Sequence, residues 1–421
     1  MTGPQFSAVA VSGGEAAAAL LALTRPTVLA ALTRSFRDLD LAEDACQEAA
    51  ARALATWPER GIPKDPTGWL IRTGHNAGLD GLRRRARERP EDGGEPVPDD
   101  LSETETGLVE TIDLRDLRDD VLRLMFMCCH PQLGVTDQLA LALKVIGGFS
   151  VAQVAKAFVV APKAMEQRIT RAKKRAAAIA TRLDTPSLAE RAERLDQVCL
   201  MVYLMFNEGY SAGGGDVHIK LPLCEEAIRL ARLLLTLFPG QPEVMGGLAL
   251  YLLQHARHRA RIDKTGALVP LEDQDRTLWD REMIAEARVL LEKALRHGRP
   301  GRYQIQAAIA AVHGSAPTAA ATDWAEIARL YTALDYIQPS PVVKLNKAVA
   351  VWKTHGAAAA LDIVEPLEAS LSGYLYFHTT RAALLAETGR SSAAEAAYRA
   401  ALDLGPTEAE RDHIFKKIAT L

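Results

Sequence analysis

Residues 147–177 read GGFSVAQVAKAFVVAPKAMEQRITRAKKRAA. Two short amphipathic segments meet at Ala161 and Pro162, and the second ends in a run of cations. Ser150 followed by Gln153 makes a capping box, in which each side chain satisfies the other residue's backbone N–H, so a helix starts at Val151. Val151, Val154, Ala155 and Phe158 fall on the helical period and give it one apolar stripe. Pro162 suits the first turn of a second helix, where its missing N–H costs nothing. In that helix Met165, Ile169, Ala172 and Ala176 share one face, and Lys163, Gln167, Arg171 and Lys174 share another. Glu166 and Arg168 join the second set as candidate contacts. Such a face offers the groups that read guanine edges and phosphates. It is either the solvated side of a helical hairpin, or a recognition helix whose N-terminal half enters the major groove while RAKKR follows the backbone. The pattern alone leaves both readings open.

Working outward, the composition sets limits. At 421 residues the chain is long enough for two or three domains. Apolar residues make up 48%, so a sizeable core is available, and the 5% aromatic content beside abundant Ala, Leu and Arg favours helix. A formal net charge of -3 provides no global basic field, so any nucleic-acid contact must be local. Cys46, Cys128, Cys129, Cys199 and Cys224 show neither CxxC spacing nor a disulfide framework, which suits a reducing compartment. No apolar run reaches membrane length, and the first 25 residues lack the early positive charge of a signal peptide. A soluble cytoplasmic protein without a membrane partner is expected.

Composition shifts divide the chain. Residues 15–89 read as helices around a short Pro/Gly loop. Residues 90–109 are acidic, rich in Pro and Gly and without apolar period, as a flexible linker is. Helical pattern returns over 110–183, and 184–421 is helix after helix. No segment alternates as a strand does, so the expected fold class is all-α. Near the C-terminus, Ala382, Ala394, Tyr398 and Ala401, with Gly389 at a turn and Pro406 after the second helix, form a tetratricopeptide (TPR) pattern. Ala227, Pro239 and Ala249, and again Tyr331 and Pro339, keep weaker echoes of it. Helix pairs repeated in this way stack as an α-solenoid.

The stretch DLDLAEDACQEAAARALATWPERGIPKDPTGWLIRTGHNAGLDGLRRRARER, residues 38–89, resembles region 2 of an extracytoplasmic-function sigma factor. Residues 147–177 then resemble region 4 of the same family, in the right order and across a linker. The resemblance covers about the first 180 residues. CCHPQL, AKAFVVAPKAMEQRITRAKK, YLMFNEGYSAGGGD and LVPLEDQDRTLWDREMIAEA make the chain similar to the group-42 type, which carries a C-terminal TPR-like extension. The implied architecture is two small helical sigma domains followed by a TPR-like α-solenoid.

The resemblance assigns roles. Asp44, Gln47, Glu48 and Arg52 form a polar stripe opposite Cys46, Ala49, Ala50, Ala53, Leu54 and Trp57. It would dock on core RNA polymerase, at the clamp helices of the β′ subunit, with the β flap as the implied second polymerase contact. Arg72, His75, Asn76, Asp80, Arg83 and Arg84 would meet the opened -10 element of promoter DNA, with residues 57–67 as the loop that pockets a flipped base. His75 stands where many relatives carry arginine. Gly74, Gly78 and Gly81 weaken their helix by roughly 1 kcal/mol each against alanine. Lys163, Glu166, Gln167, Arg168, Arg171 and Lys174 would meet the -35 element. The acidic linker would thread near the polymerase active centre. The C-terminal domain would regulate the rest, by an unknown signal or a small YCII-related protein encoded nearby.

Other constellations carry less. Cys128, Cys129 and His130 are adjacent, so they diverge around a helix, and no second ligand pair lies near; no metal or cofactor is expected. SAGGGD lacks the Walker lysine, and no nucleophile–base pair has convincing spacing, so an enzyme is not expected. Asn207, Glu208 and Tyr210 mark a regulatory pocket, a latch, or a helix end with structural polar groups. HARHRAR, from His255 to Arg261, is an anion site or a solvated face. Two rival functions stay open: a one-component helix-turn-helix regulator acting without polymerase core, and a TPR protein-interaction scaffold.

Overall fold

The computed structural model describes residues 13–87, 114–158, 160–180, 188–210, 221–263 and 269–421. The expected linker, residues 90–109, lies outside them. The chain forms two compact units, 1–201 and 202–421. It is all-α; among the described residues there is no strand, and no helix is long and apolar enough to cross a membrane.

In the first unit, α1 (Gly13–Phe36), α2 (Leu39–Arg60) and α3 (Pro66–Arg87) pack on one another. The turn from α1 to α2 is tight because Arg37 takes a positive φ of 53° and the Asp38 carboxylate accepts from the backbone N–H groups of Asp40 and Leu41, at 2.9 and 3.1 Å. α2 buries a stripe of small residues, Ala42, Ala45, Ala49 and Ala53, and α1, which packs on it, buries Leu29 and Leu32. Small residues let the backbones approach, and α3 meets them with glycine. A Cβ on Gly74 would lie 2.9 Å from Leu32 Cδ1 and 3.2 Å from the Ala45 carbonyl oxygen. One on Gly78 would lie 2.3 Å from Phe36 Cζ. The helix-weakening glycines of the sequence are therefore the condition for close packing at two of their three positions.

The expected 57–67 loop is shorter than its sequence implies. α2 continues through Pro58 to Arg60, and α3 already begins at Pro66, leaving 61–65 between them. Trp57 is buried at the end of α2, and its ring meets the edge of half-buried Trp69, 5.5 Å between centroids. The last turn stays helical through Pro58, closed by the Gly61 N–H donating to the Trp57 carbonyl oxygen at 2.9 Å.

α4 (Leu114–Cys128) lies along α1. α5 (Val135–Leu141) continues into a π-helical turn, Ala142–Ile146, a feature no periodicity in the sequence announced. α6 (Val151–Ala157) and α7 (Pro162–Ala180) complete the helix-turn-helix. The capping box forms as read: Ser150 N–H donates to Gln153 Oε1 at 2.8 Å, and Gln153 N–H to Ser150 Oγ at 3.2 Å. Met165, Ile169, Ala172 and Ala176 are all buried.

The second unit takes in the end of α8 (Leu188–Tyr210) and then α9 (Leu221–Leu237), α10 (Pro242–His255), α11 (Arg281–Leu295), α12 (Arg302–Ser315), α13 (Trp324–Ile337), α14 (Pro341–His355), α15 (Ala357–Val364), α16 (Glu368–Leu371), α17 (Leu375–Glu387), α18 (Ser391–Asp403) and α19 (Glu408–Ile418). From α9 to α15 each helix packs on the next. The TPR pattern describes α17 and α18: Ala382, Ala394, Tyr398 and Ala401 are buried, Gly389 turns with φ 76°, and Pro406 is buried after α18. Of the echo positions, Ala227 and Ala249 are fully buried, Tyr331 is half-buried, and Pro239 and Pro339 are exposed.

The glycines of α3 give two predictions of opposite sign. Gly78→Ala should lower stability by about 1–3 kcal/mol, because the added methyl displaces the Phe36 ring. Gly81→Ala should raise it by up to about 1 kcal/mol, since its Cβ meets only Leu41 Cδ1 at 3.9 Å and helix propensity improves. Thermal unfolding of the two variants checks both.

Candidate nucleic-acid interface

The outward face of α7 carries Lys163, Glu166, Gln167, Arg171 and Lys174, all exposed. Arg171 Nε donates to the Gln167 carbonyl oxygen at 3.3 Å. Arg168 is half-buried and turns toward α5, its Nε 3.8 Å from Asp137 Oδ1, and Arg175 Nη1 reaches the other oxygen of the same carboxylate at 3.7 Å. Lys173 turns the other way. Its ammonium donates to Asp40 Oδ1 at 2.7 Å and to Glu43 Oε2, both on α2. Burial works against the Lys173 charge, and the two carboxylates outweigh it and raise its pKa. The basic run is thus divided: Arg171 and Lys174 face solvent, while Lys173 and Arg175 are held by acids from other helices.

On α3, Arg72, Asn76, Asp80, Arg83 and Arg84 are exposed, with Arg83 Nη1 3.6 Å from Asp80 Oδ1. His75 does not join them. Only 8% of it is exposed, and its ring stacks on Phe36 at 5.4 Å and 10°. The helical period carries the reason: His75 lies four residues from both Ile71 and Leu79, which are buried too. The structure thus removes His75 from the surface set.

Asp44, Gln47, Glu48 and Arg52 are exposed on α2, and Arg52 Nε donates to Glu48 Oε1 at 2.9 Å. A groove of about 600 Å³ runs between α2 and α3. Asp44, Glu48 and Arg52 line one wall, and Asp80, Gly81 and Arg84 line the other. The resemblance assigned these walls to different partners; the fold makes them one surface of mixed charge.

Cys128 and Cys129 are buried, and burial pushes the thiol of Cys129 up to about 12 and that of Cys128 well above its ordinary value. The His130 ring instead meets the edge of Phe126, 5.2 Å between centroids.

In the second unit, three sequence stretches that looked separate converge on Tyr210. Its hydroxyl donates to Gln254 Oε1 at 2.8 Å and accepts from Arg257 Nη2 at 2.6 Å. Arg261 donates to its carbonyl oxygen at 3.0 Å and lies 3.5 Å above its ring. Arg257 also reaches Gln274 Oε1 at 3.3 Å and packs over Trp279 at 5.7 Å. FNEGY, HARHRAR and LEDQDRTLWD therefore form one polar hub, which no spacing in the sequence revealed. Asn207 and Glu208 are half-buried beside it on α8, and residues 211–220 of the glycine-rich stretch lie outside the described residues.

Residues 20–88 match the family model described as sigma-70 region 2. Residues 194–295 match a family of unknown function, DUF6596, which takes in the Tyr210 hub. A curated relative, uncharacterized protein R00370 of Rhizobium meliloti (strain 1021), is 53% identical over 397 residues, covering 94% of this chain and 93% of its own. The crystal structure of the P58(IPK) TPR domain aligns over 90% of this chain and 94% of its own at 13% identity, with a TM-score of 0.28, too low to establish a shared fold.

Two histidines of the second unit predict acid sensitivity. Burial, then the His258 ring, lowers the His255 pKa to about 4, with Asp280 opposing; burial, then Arg257 and Arg276, lowers that of His313 to about 4. Both are neutral in the fold and protonate near 6.5 when unfolded. Their contribution to stability is present above pH 6.5 and lost as pH falls toward 4. The unfolding temperature should decline across that window, and a His255→Gln/His313→Gln variant should decline less.

Proposed function

The chain belongs to the sigma-70 family, with a role in transcription initiation, and on that footing we propose that it is an alternative sigma factor of the group-42 type, regulated by its own C-terminal domain. It binds core RNA polymerase through Asp44, Gln47, Glu48 and Arg52 at the β′ clamp helices, with a second contact at the β flap. Arg72, Asn76, Asp80, Arg83 and Arg84 meet the opened -10 element. Lys163, Glu166, Gln167, Arg168, Arg171 and Lys174 meet the -35 element. The carrying observation is the pairing of a sigma-70 region 2 match with a downstream helix-turn-helix whose second helix turns Lys163, Gln167, Arg171 and Lys174 to solvent. Mixed donors and acceptors on one exposed helix face suit base edges and phosphates together.

The acidic 90–109 segment suits a positively charged polymerase channel. The protein works in the cytoplasm and performs no catalysis of its own. The Tyr210 hub is the centre of the regulatory domain, where a signal or a small YCII-related protein acts.

Run-off transcription with sigma-free core polymerase on genomic fragments tests this reading. Promoter-specific transcripts are expected with the full chain. Arg171→Ala/Lys174→Ala should lose -35-dependent transcript by tenfold or more, with each lost phosphate contact lowering the salt slope by about 1, while core binding persists. A scaffold would lose nothing. Duplex binding at a palindrome without core would support the one-component regulator instead.

A further inference from the structure

We propose that the Tyr210 hub is a binding site for a small phosphate-bearing ligand, held by Arg257, Arg261 and the indole N–H of Trp279. This rests on the reading of the hub as the regulatory centre and names the chemistry of its signal. The first observation is an excess of positive charge. Arg257 and Arg261 are half-buried and Arg276 is buried, and among the described residues none of the three pairs with a carboxylate. They bond only neutral acceptors. Arg257 donates to the Tyr210 hydroxyl and to the side-chain oxygens of Gln254 and Gln274, and Arg261 to the Tyr210 carbonyl oxygen. Arg276 donates to the carbonyl oxygens of His313 and Ala316, at 2.5 and 2.7 Å. Acids of the same stretch are engaged elsewhere: Glu272 meets Lys353 at 3.3 Å, Asp275 accepts from Thr277, and Asp280 caps α11. Burial, and then Arg257, lowers the pKa of Arg276; burial also leads in lowering that of Arg261, with Tyr210 opposing and Arg257 adding. A guanidinium keeps its charge regardless, so an anion from outside the chain relieves a standing cost.

The second observation is independent of charge. Trp279 is 2% exposed, and its Nε1–H is buried without an acceptor. A buried indole N–H ordinarily finds one. Two guanidiniums lie over the same ring, Arg276 Cζ at 4.6 Å from its centroid and Arg257 Cζ at 5.7 Å. Among the described residues, Trp279 Nε1, Arg257 Nε, and Arg261 Nε and Nη2 are donors with no acceptor on the chain. What the cluster lacks is therefore acceptors alone. An oxyanion supplies nothing else, and a tetrahedral phosphate offers its oxygens in several directions at once, which suits planar guanidinium forks entering from different sides. Arg257 and Arg261 both bond Tyr210, which keeps them within reach of one such group. Arg276, bonded to the carbonyls at the end of α12, positions the indole.

The test uses the full chain with isotope-labelled tryptophan, whose five indole N–H groups give separate magnetic-resonance signals. Trp279→Phe keeps an aromatic ring, removes the donor and so identifies one signal. Inorganic phosphate and then pyrophosphate, at millimolar concentration and constant ionic strength, should move that signal saturably, and sodium chloride should not. Arg261→Gln should weaken the binding by about tenfold, and Arg261→Lys, which keeps the charge, by less. Circular dichroism and thermal unfolding confirm that each variant is folded. A signal unmoved by both phosphates would overturn the site. A response to succinate alone would overturn the phosphate assignment, and undiminished binding by Arg261→Gln would overturn the arginine's role. Run-off transcription separates the site from its regulatory meaning: Arg261→Gln should change promoter-specific transcript several-fold, and an unchanged yield with binding lost would overturn that meaning. Absence of transcript from every chain, wild type included, would instead sink the sigma reading, and the titration alone would then decide the site.

Discussion

A buried carboxylate needs a cation, and in the first unit that carboxylate is Glu43. It lies on α2 with Arg25 of α1 on one side and Lys173 of α7 on the other. Removing one partner of a buried pair costs about 3–5 kcal/mol in typical cases. That cost links two modules that the sequence separates by residues 88–113. The arrangement of the basic run follows from it. With Lys173 drawn to α2, Lys174 and Arg171, about 100° and 200° away around the helix, point elsewhere and are exposed. Arg168 and Arg175, on a third side, are drawn to Asp137. One helix thereby packs, pairs and presents with three different faces.

Close backbone approach is the second constraint. α2 offers alanines and α3 offers glycines, so these helices cross with little side-chain volume between them. The remaining surface of both helices is free for polar groups. Asp44, Glu48 and Arg52 therefore end opposite Asp80 and Arg84 across a single groove. A surface with both signs of charge in alternation suits ordered docking on a large partner better than unspecific adhesion, which a single-sign patch would favour.

Local signals in the sequence were legible wherever the chain satisfies them locally. Ser150 and Gln153 bond each other, Pro162 opens α7, and Gly389 turns between α17 and α18. The apolar face of α7 also came through, since Met165, Ile169, Ala172 and Ala176 need only the helical period to be recognised, whereas Leu54, read onto the apolar stripe of α2, is exposed. What stayed hidden depends on residues far apart in the chain. His75 looked like a surface donor by residue type, although its spacing from Ile71 and Leu79 placed it inside. The end of α2 was expected as a loop from the resemblance, and the contact of Trp57 with Trp69 joins residues of two helices. Tyr210, Arg257 and Gln274 are joined only by the packing of the second unit. No short window of sequence contains that information.

The most direct test of the account is promoter opening, followed by permanganate reactivity of unpaired thymines on a genomic promoter fragment. Reactive thymines are expected at the -10 element only when the full chain and sigma-free core polymerase are both present. Binding to duplex DNA without core, with the thymines protected in every combination, would contradict it.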